Sequence, residues 1–476
     1  MPQQPHGSSH PNQGNPSQNR AHGRGPAVAA WLAESFALMA FSLSLFQIVG
    51  CAAKSALPIP DGATDSDTAP DGPRDPSLQT GNAAGLFGAT SVPTFDLVLP
   101  AADWDALKVH ARDEQFVPAQ ASYEGRAIGT VGLRFKGSYG SLYECFDSQG
   151  KMICPRLSMK IKFDEYVAGQ RFFGLKRLAF NAYQYDDSRM KEKLSYDLFR
   201  AMGVVAPRAA WALLRVNGES LGLFGMVETV DGRFTADRWP NNADGNLYKE
   251  LWPTHASDQQ IGAALETNKA SANIANYRAF SQALTSADKS NLLATLGHYM
   301  DLDYLARFLA VEDAVASYDG ITYFWTDGTQ YTNDNNHNYF VYEESPTRFT
   351  LIPWDLESAF WIDPAHSAPH WTVIPADCNL TYAYWGGLAH APGCDRVFRA
   401  LDSDLGRWRA AARTLLDGPF AVETMTATID RYLALIGNAA RADPTPTKYS
   451  SFDQAVISLR NLIPSMRARL ETLIAQ

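Results

Sequence analysis

VEDAVASYDG (Val311–Gly320) and, after a polar stretch, HNYFVYEESPTRFTLIPWDLESAF (His337–Phe360) carry the pattern around which the chain is organised. Asn338–Tyr342 and Phe349–Ile352 are short apolar, aromatic-rich runs of strand composition, and Glu343–Arg348 between them reads as a hairpin connection. Asp319 precedes the hairpin, Asn338 opens its first strand, and Asp355 follows its second in Pro353-Trp354-Asp355-Leu356. A carboxylate, an amide and a second carboxylate so placed can converge on one point. Oxygen ligands of this kind suit a hard cation such as Mg²⁺, which usually keeps substrate phosphates as further ligands. The plainer alternative is that Asp319-Gly320 is a turn and Asp355 caps a helix starting at Leu356.

A chain of 476 residues allows two or three domains or one large one, and 46% hydrophobic residues suffice for a sizeable core. The net charge of −10, with no dense basic stripe, argues against nucleic acid as a partner. Met1–Gly25 is polar, with Arg20 and Arg24 and no acidic residue, and Pro26–Gly50 is apolar apart from Glu34 and a few small polar residues. A basic segment, an apolar segment and small residues are the features of an export signal. The cysteine in Ile48-Val49-Gly50-Cys51 looks like that of a bacterial lipobox, which makes residues 1–50 a lipoprotein-type signal and a lipidated Cys51 the expected membrane attachment. A membrane-spanning anchor is the alternative, since about 25 apolar residues can cross a bilayer. Either way the folded part is expected outside the cytoplasm, at the periplasmic or surface face of the envelope. Residues 51–85, rich in Asp, Pro, Ser, Thr and Gly, read as a disordered tether. The other four cysteines permit three pairings, and the two local loops Cys145–Cys154 and Cys378–Cys394 are the economical choice in an oxidising compartment.

The folded part begins with strands. Phe95–Leu99 and Ala127–Phe135 alternate, with a helix at Ala101–Ala111 between them, and the second strand stops at Lys136-Gly137-Ser138. Gly137 and Ser138 form either a plain hairpin turn or a nest of amides for phosphate. In Leu157–Phe163, Lys160 and Lys162 share one strand face, as a solvated edge or as phosphate-binding lysines. Lys176–Asn181 is a further strand. The helix expected over Asp186–Met202 carries Met190, Leu194, Leu198 and Met202 at four-residue spacing, with Glu192 in its first turns. Pro207–Val216 and Ser220–Thr229 are strands joined at Asn217-Gly218, a strong hairpin signal. Helical patterns fill Tyr277–Leu284, Asn291–Leu296 and Tyr304–Val315, and after the acidic hairpin Arg396–Leu416, Val422–Ile436 and Phe452–Ala475. Between Phe360 and Arg396 lies an aromatic, His-containing loop.

Taken in order, VGLRFKG, LSMKIKF, RLAFNAY, DDSRMKEKLSYDLFRAMGV, VNGESLGLFGMVETVDGRF, GNLYKE, SYDG, HNYFVY and LIPWDLE resemble the spore coat protein H (CotH) kinase family. The resemblance covers about Phe95 to Ser358. It implies an α+β, two-lobed, atypical protein-kinase-like fold, with a strand-rich N-lobe over residues 86–250 and a mainly helical C-lobe over residues 251–476. It also implies a kinase that uses ATP and Mg²⁺, or Mn²⁺, to phosphorylate Ser or Thr of an envelope or secreted protein. In that frame Asp319 is the catalytic aspartate, and Asn338 and Asp355 are the metal-binding pair. Lys160, with Lys162 second, binds phosphate, and Glu192 is its helix partner. Gly137 and Ser138 cover the phosphates, and Glu228 lies where a hinge would meet the adenine. The chain departs from the common protein-kinase pattern in the distance from Asp319 to Asn338, which is 19 residues where roughly five are usual. Two other readings keep the same residues: a non-catalytic surface module contacting envelope polymers or proteins, and metal-dependent phosphoryl transfer to water.

Overall fold

Side chains that alternate between an apolar and a polar face close the first strands of the chain on themselves. The computed structural model describes residues 74–138, 141–254, 256–271, 273–326, 336–361, 366–384 and 387–476. The expected export signal, Cys51 and most of the expected tether lie outside the described residues. Two short helices, α1 (Pro76–Gln79) and α2 (Ala83–Phe87), come first. They are followed by β1 (Thr94–Val98), α3 (Ala101–Val109), β2 (Val117–Tyr123), β3 (Arg126–Phe135), β4 (Met159–Lys162) and β5 (Arg177–Asn181). Next come α4 (Lys191–Ala201), β6 (Ala209–Val216) and β7 (Glu219–Glu228). These strands form a closed sheet in the order β1-β2-β3-β4-β5-β7-β6, sealed by the parallel pairing of β6 with β1. Inside it Phe95 meets Tyr123, Phe172 and Phe180 edge to face at 5.1–5.4 Å, the arrangement that ring quadrupoles favour.

The remaining elements are α5 (Gly232–Arg238), β8 (Leu247–Lys249), α6 (Asp258–Ala264), α7 (Ala275–Ser286), α8 (Leu292–Tyr299) and α9 (Leu302–Val315). They continue with β9 (Phe324–Thr326), β10 (Tyr339–Ser345), β11 (Arg348–Pro353), β12 (Thr381–Tyr384), β13 (Gly387–His390), α10 (Arg396–Asp402), α11 (Leu405–Asp417), α12 (Val422–Arg441) and α13 (Phe452–Ala475). Strands β11-β10-β8 form one small sheet and β12-β13-β9 another. A second core joins Leu194 and Leu198 of α4 with Phe308, Val311 and Val315 of α9, Trp408 of α11 and Leu470 of α13. Ala179 of β5 and Val227 of β7 face this core, whereas Leu178 and Phe180 face the interior of the closed sheet. Alternation along β5 thus assigns one face to each core. The fold class is mixed α and β, as expected.

Several expectations need correction. The tether does not extend to residue 85, because Leu78 and Ala83 are buried and the Asp75 N–H donates to the Ala127 carbonyl at 2.8 Å. The helix expected from Asp186 begins at Lys191. Asp186 instead folds a turn, accepting the N–H groups of Ser188 and Lys191 at 2.9 and 2.8 Å. Arg396–Leu416 is two helices, broken where Asp404 leaves helical geometry with φ −142°. The aromatic loop after Phe360 contains the β12–β13 hairpin, whose Leu388–His390 pair with β9. No helix begins at Leu356, so Asp355 is not a helix cap. Both disulfides form as the local loops Cys145–Cys154 and Cys378–Cys394.

Candidate functional site

Asp319 and Asn338 meet across the 19 residues that separate them. Helix α9 ends at Ala316, whose φ of 47° is a left-handed stop that turns the chain into Ser317–Gly320. Asp319 Oδ2 accepts a hydrogen bond from Asn338 Nδ2 at 2.7 Å, and the same amide nitrogen donates to the Asp319 carbonyl at 2.9 Å. Trp325 Nε1, on β9, donates to Asp319 Oδ1 at 3.2 Å. The β10–β11 ladder pairs Tyr339 with Pro353, and just beyond it the Trp354 N–H donates to the Asn338 carbonyl at 2.9 Å. Asn338 therefore lies across the hairpin from Trp354, beside Asp355. Both residues hold left-handed backbone conformations, with φ 63° at Asn338 and 50° at Asp355. Such conformations cost energy and cluster at functional sites. The Asp355 N–H donates at 3.0 Å to the Tyr196 hydroxyl of α4, which ties the hairpin to that helix.

Charges in this region act on one another. Burial raises the Asp319 carboxyl, the Asp355 charge adds to the rise, and His337, Trp325 and Asn338 oppose it. Burial and then Asp355 raise Glu192 to about 7. Glu357, two residues beyond Asp355, is driven well above the ordinary carboxylate range by burial and by the Asp355 and Glu192 charges. Glu250 is held down at about 2 against the effect of burial by His337, Lys249 and the Asn338 N–H.

A second chain of contacts reaches Glu192. Lys136 Nζ donates to Asn181 Oδ1 at 2.6 Å, and Asn181 Nδ2 donates to both Glu192 oxygens at 2.9 Å. The partner reaching Glu192 is thus Lys136, through an amide, rather than Lys160 or Lys162. Lys162 instead pairs with Glu165. Lys160 lies beside Arg134, Lys136 and Arg177, and burial together with these like charges lowers its ammonium to about 7. Gly137 has φ 113°, and a Cβ there would meet Ser141 Cβ at 2.7 Å, so the turn needs glycine. The Ser138 carbonyl accepts the N–H groups of Ser141 and Tyr143 at 3.3 and 3.2 Å, and Tyr139–Gly140 lie outside the described residues.

Glu228 is a correction. Its carboxylate is buried and held by both Arg208 and Arg238, which keep it below its ordinary range against burial, and its N–H donates to the Arg208 carbonyl. Its side chain anchors β7 to α5 and is not free for a ligand. Sequence reading missed Lys136, Asn181 and Glu357. The available signals were that Lys136 directly precedes the Gly-Ser turn and that Asn181 shares the outward strand face of Ala179.

Among the described residues no group of three His, Cys, Asp or Glu side chains is arranged to hold a metal ion. Asp355 and Asn338 supply one carboxylate and one amide, a donor set that fits Mg²⁺ when substrate phosphates complete its shell.

Residues 133–473, well over half the chain, match the family described as CotH kinase protein. Inner spore coat protein H of Bacillus subtilis (strain 168) is 22% identical over 285 residues, which is 58% of this chain and 70% of that protein. Two proteins of Rhizopus delemar, spore coat protein homolog 1 and invasin CotH7, are each 25% identical over 37% and 39% of this chain. This chain covers 30% and 32% of them, under a third of their length. A solved Shewanella oneidensis MR-1 complex of HipA, HipB and operator DNA contains a chain with 9% identity over 62% of this one and 57% of that chain, at a TM-score of 0.29, too low to carry an argument. On the family match, this chain belongs to the CotH kinase protein family.

Proposed function

We propose that this chain is a Mg²⁺-dependent kinase that transfers the ATP γ-phosphate to a Ser or Thr hydroxyl of an envelope or secreted protein. The observation that carries the reading is the convergence of two separate contact chains. One runs Lys136–Asn181–Glu192 and the other Asp319–Asn338 with Asp355, and they meet where Asp355 bonds Tyr196 and bears on Glu192. Phosphoryl transfer needs positioning and charge neutralisation more than covalent chemistry, so a few such groups suffice. The closed sheet then plays the part of a nucleotide-binding lobe and the helical part that of an acceptor-binding lobe.

Asp319 would orient the acceptor hydroxyl and take its proton, helped by a carboxyl raised above its ordinary value. Trp325 and Asn338 hold it in place. Asp355 and Asn338 would hold Mg²⁺, which when bound neutralises phosphate charge. Lys160, with Arg134, Lys136 and Arg177 around it, forms a basic group that a phosphate would relieve of mutual repulsion. Lys136 would be kept in place by Asn181 and Glu192. Gly137 and Ser138 would border the phosphates. Export and a surface location are supported by the two disulfides and by relatives named for a spore coat and for invasion. Attachment through a lipidated Cys51 is part of the same proposal. A non-catalytic surface module is favoured by the exposed Val373, Ile374 and Leu380 near Cys378.

Labelled ATP separates these readings. Incorporation of the γ-phosphate into protein of an envelope extract, dependent on Mg²⁺ and absent with Asp319→Ala, is expected. Release of phosphate without incorporation would instead indicate transfer to water. Neither product from a folded chain would leave the surface module.

A further inference from the structure

The turn that presents Asp319 is wrapped around a buried acid on the preceding helix. Glu312 lies in the last turn of α9 and is 4% exposed. Its Oε1 accepts the Thr322 N–H at 3.4 Å, and the Ile321 N–H also bonds it. Its own carbonyl accepts the Ser317 N–H at 3.2 Å, so this one residue contacts both ends of the turn. The closest approach is at Gly320, where a Cβ would lie 2.0 Å from Oε1 and 2.8 Å from Cδ. The turn therefore seats on the Glu312 carboxyl only because residue 320 is glycine. Asp319 stands between these contacts and reaches outward to Trp325 and Asn338.

We propose that Glu312 is the positioning residue of the Asp319 turn, the internal support that sets where the Asp319 carboxylate stands. The proposal rests on the reading of Asp319 as the acceptor-side group only for its catalytic consequence. The structural claim stands without it.

The surroundings decide the form in which Glu312 works. Asp313, its neighbour, has partners for both oxygens: His370 Nε2 at 3.0 Å on one, and Trp371 Nε1 and Trp408 Nε1 at 3.2 and 3.0 Å on the other. The other titratable or charged groups nearby are Tyr323, the Tyr318 and His366 rings packed against Tyr323, and Arg469, whose guanidinium donates to the Asp313 carbonyl at 2.8 Å. None of these forms an ion pair with Glu312 among the described residues. Burial and then the Asp313 charge push Glu312 up to about 8. At neutral pH the turn rests on an uncharged carboxyl group. Ionisation above about 8 places an uncompensated charge beneath Gly320, and the turn must shift to let water reach it.

The Trp325 indole N–H, which bonds Asp319, reports this shift without reference to activity. Its resonance, assigned through Trp325→Phe, is followed in the full chain from about pH 6 to about pH 9.5, a range that brackets the raised carboxyl. The expected result is a wild-type component with a midpoint near 8 that Glu312→Gln removes, because glutamine keeps the acceptor and cannot ionise. Glu192, Lys160 and His337 remain in both proteins and cancel in the comparison. An identical titration in Glu312→Gln overturns the proposal. If that variant does not fold, the wild-type titration decides alone, and no component near 8 overturns it. In parallel, ADP formation from Mg–ATP should fall above about pH 8 in the wild type but not in Glu312→Gln. Glu312→Ala should lower the maximal rate by roughly tenfold to 100-fold with little change in KM. If no variant, wild type included, forms ADP, the kinase reading fails while the indole titration still decides the role of Glu312.

Discussion

The two halves of the candidate site are built in different ways. Asp319, Asn338 and Asp355 are placed by local connections: the end of one helix, one turn, and the first residues beyond one hairpin. Lys136, Asn181 and Glu192 are placed by strand register around a closed sheet and by the packing of α4 against its outer face. The first half needs only the end of α9, the turn after it and the hairpin to keep their places. The second depends on every strand between β3 and β5 standing in register, since a one-residue slip turns each side chain to the other face. This contrast predicts that loss of Asp319 is chemical, that loss of Asp355 removes the metal-bound nucleotide, and that damage to the second half is a matter of binding and stability.

The largest effect is expected at Asp319. Asp319→Ala should lower transfer by on the order of 10²–10⁴-fold, the usual worth of a positioned base, while Mg²⁺–ATP binding persists. Lost binding would show that Asp319 itself helps to hold the nucleotide. Next comes the comparison of lysines. Lys136→Ala should weaken ATP by roughly tenfold to 100-fold, the worth of one charge-assisted bond. Lys162→Ala, which loses the partly exposed pair with Glu165 and a contact over the Phe116 ring, should change it by no more than about twofold. The reverse order of the two lysines would overturn the Lys136 assignment.

How much of this the sequence showed follows the same division. Asp319, Asn338 and Asp355 could be picked out because they flank a hairpin that composition and turn signals mark, whereas their roles came from the family motifs. Lys136 could not be separated from Lys160 and Lys162, because which of three outward lysines meets an amide on β5 depends on register. Asn181 reads in sequence as one more polar strand residue. Glu228 was misread for a similar reason: Arg208 and Arg238, which hold it, lie on β6's approach and on α5, and nothing in their spacing announces a shared partner. The tether limit was misplaced because Leu78 is an isolated apolar residue in a polar stretch, and only the closed sheet shows what covers it.

Two smaller effects sharpen the contrast. Asn181→Leu removes the amide between Lys136 and Glu192 and should cost about 1–3 kcal/mol in a denaturation experiment, the penalty for leaving buried polar groups unpaired. Unchanged stability would mean that lysine and glutamate meet directly or that water replaces the amide. The smallest effect concerns pH. Glu192 stands at about 7 in the fold against an ordinary 4.5. Between those values the native state holds the proton that the unfolded chain has lost, so this contribution to stability is complete below about 4.5 and disappears as pH rises through about 7. Glu192→Gln should flatten that part of the thermal stability profile, and an unaltered slope would assign the titration elsewhere.

Whether the two halves jointly hold a metal-bound nucleotide is decided by calorimetric titration of ATP into the full chain, with and without Mg²⁺, for the wild type and Asp355→Ala. Binding is expected to require Mg²⁺ in the wild type and to be lost in a variant that keeps its melting transition. Mg²⁺-dependent binding of equal strength in Asp355→Ala, or no binding by the folded wild type, would contradict it.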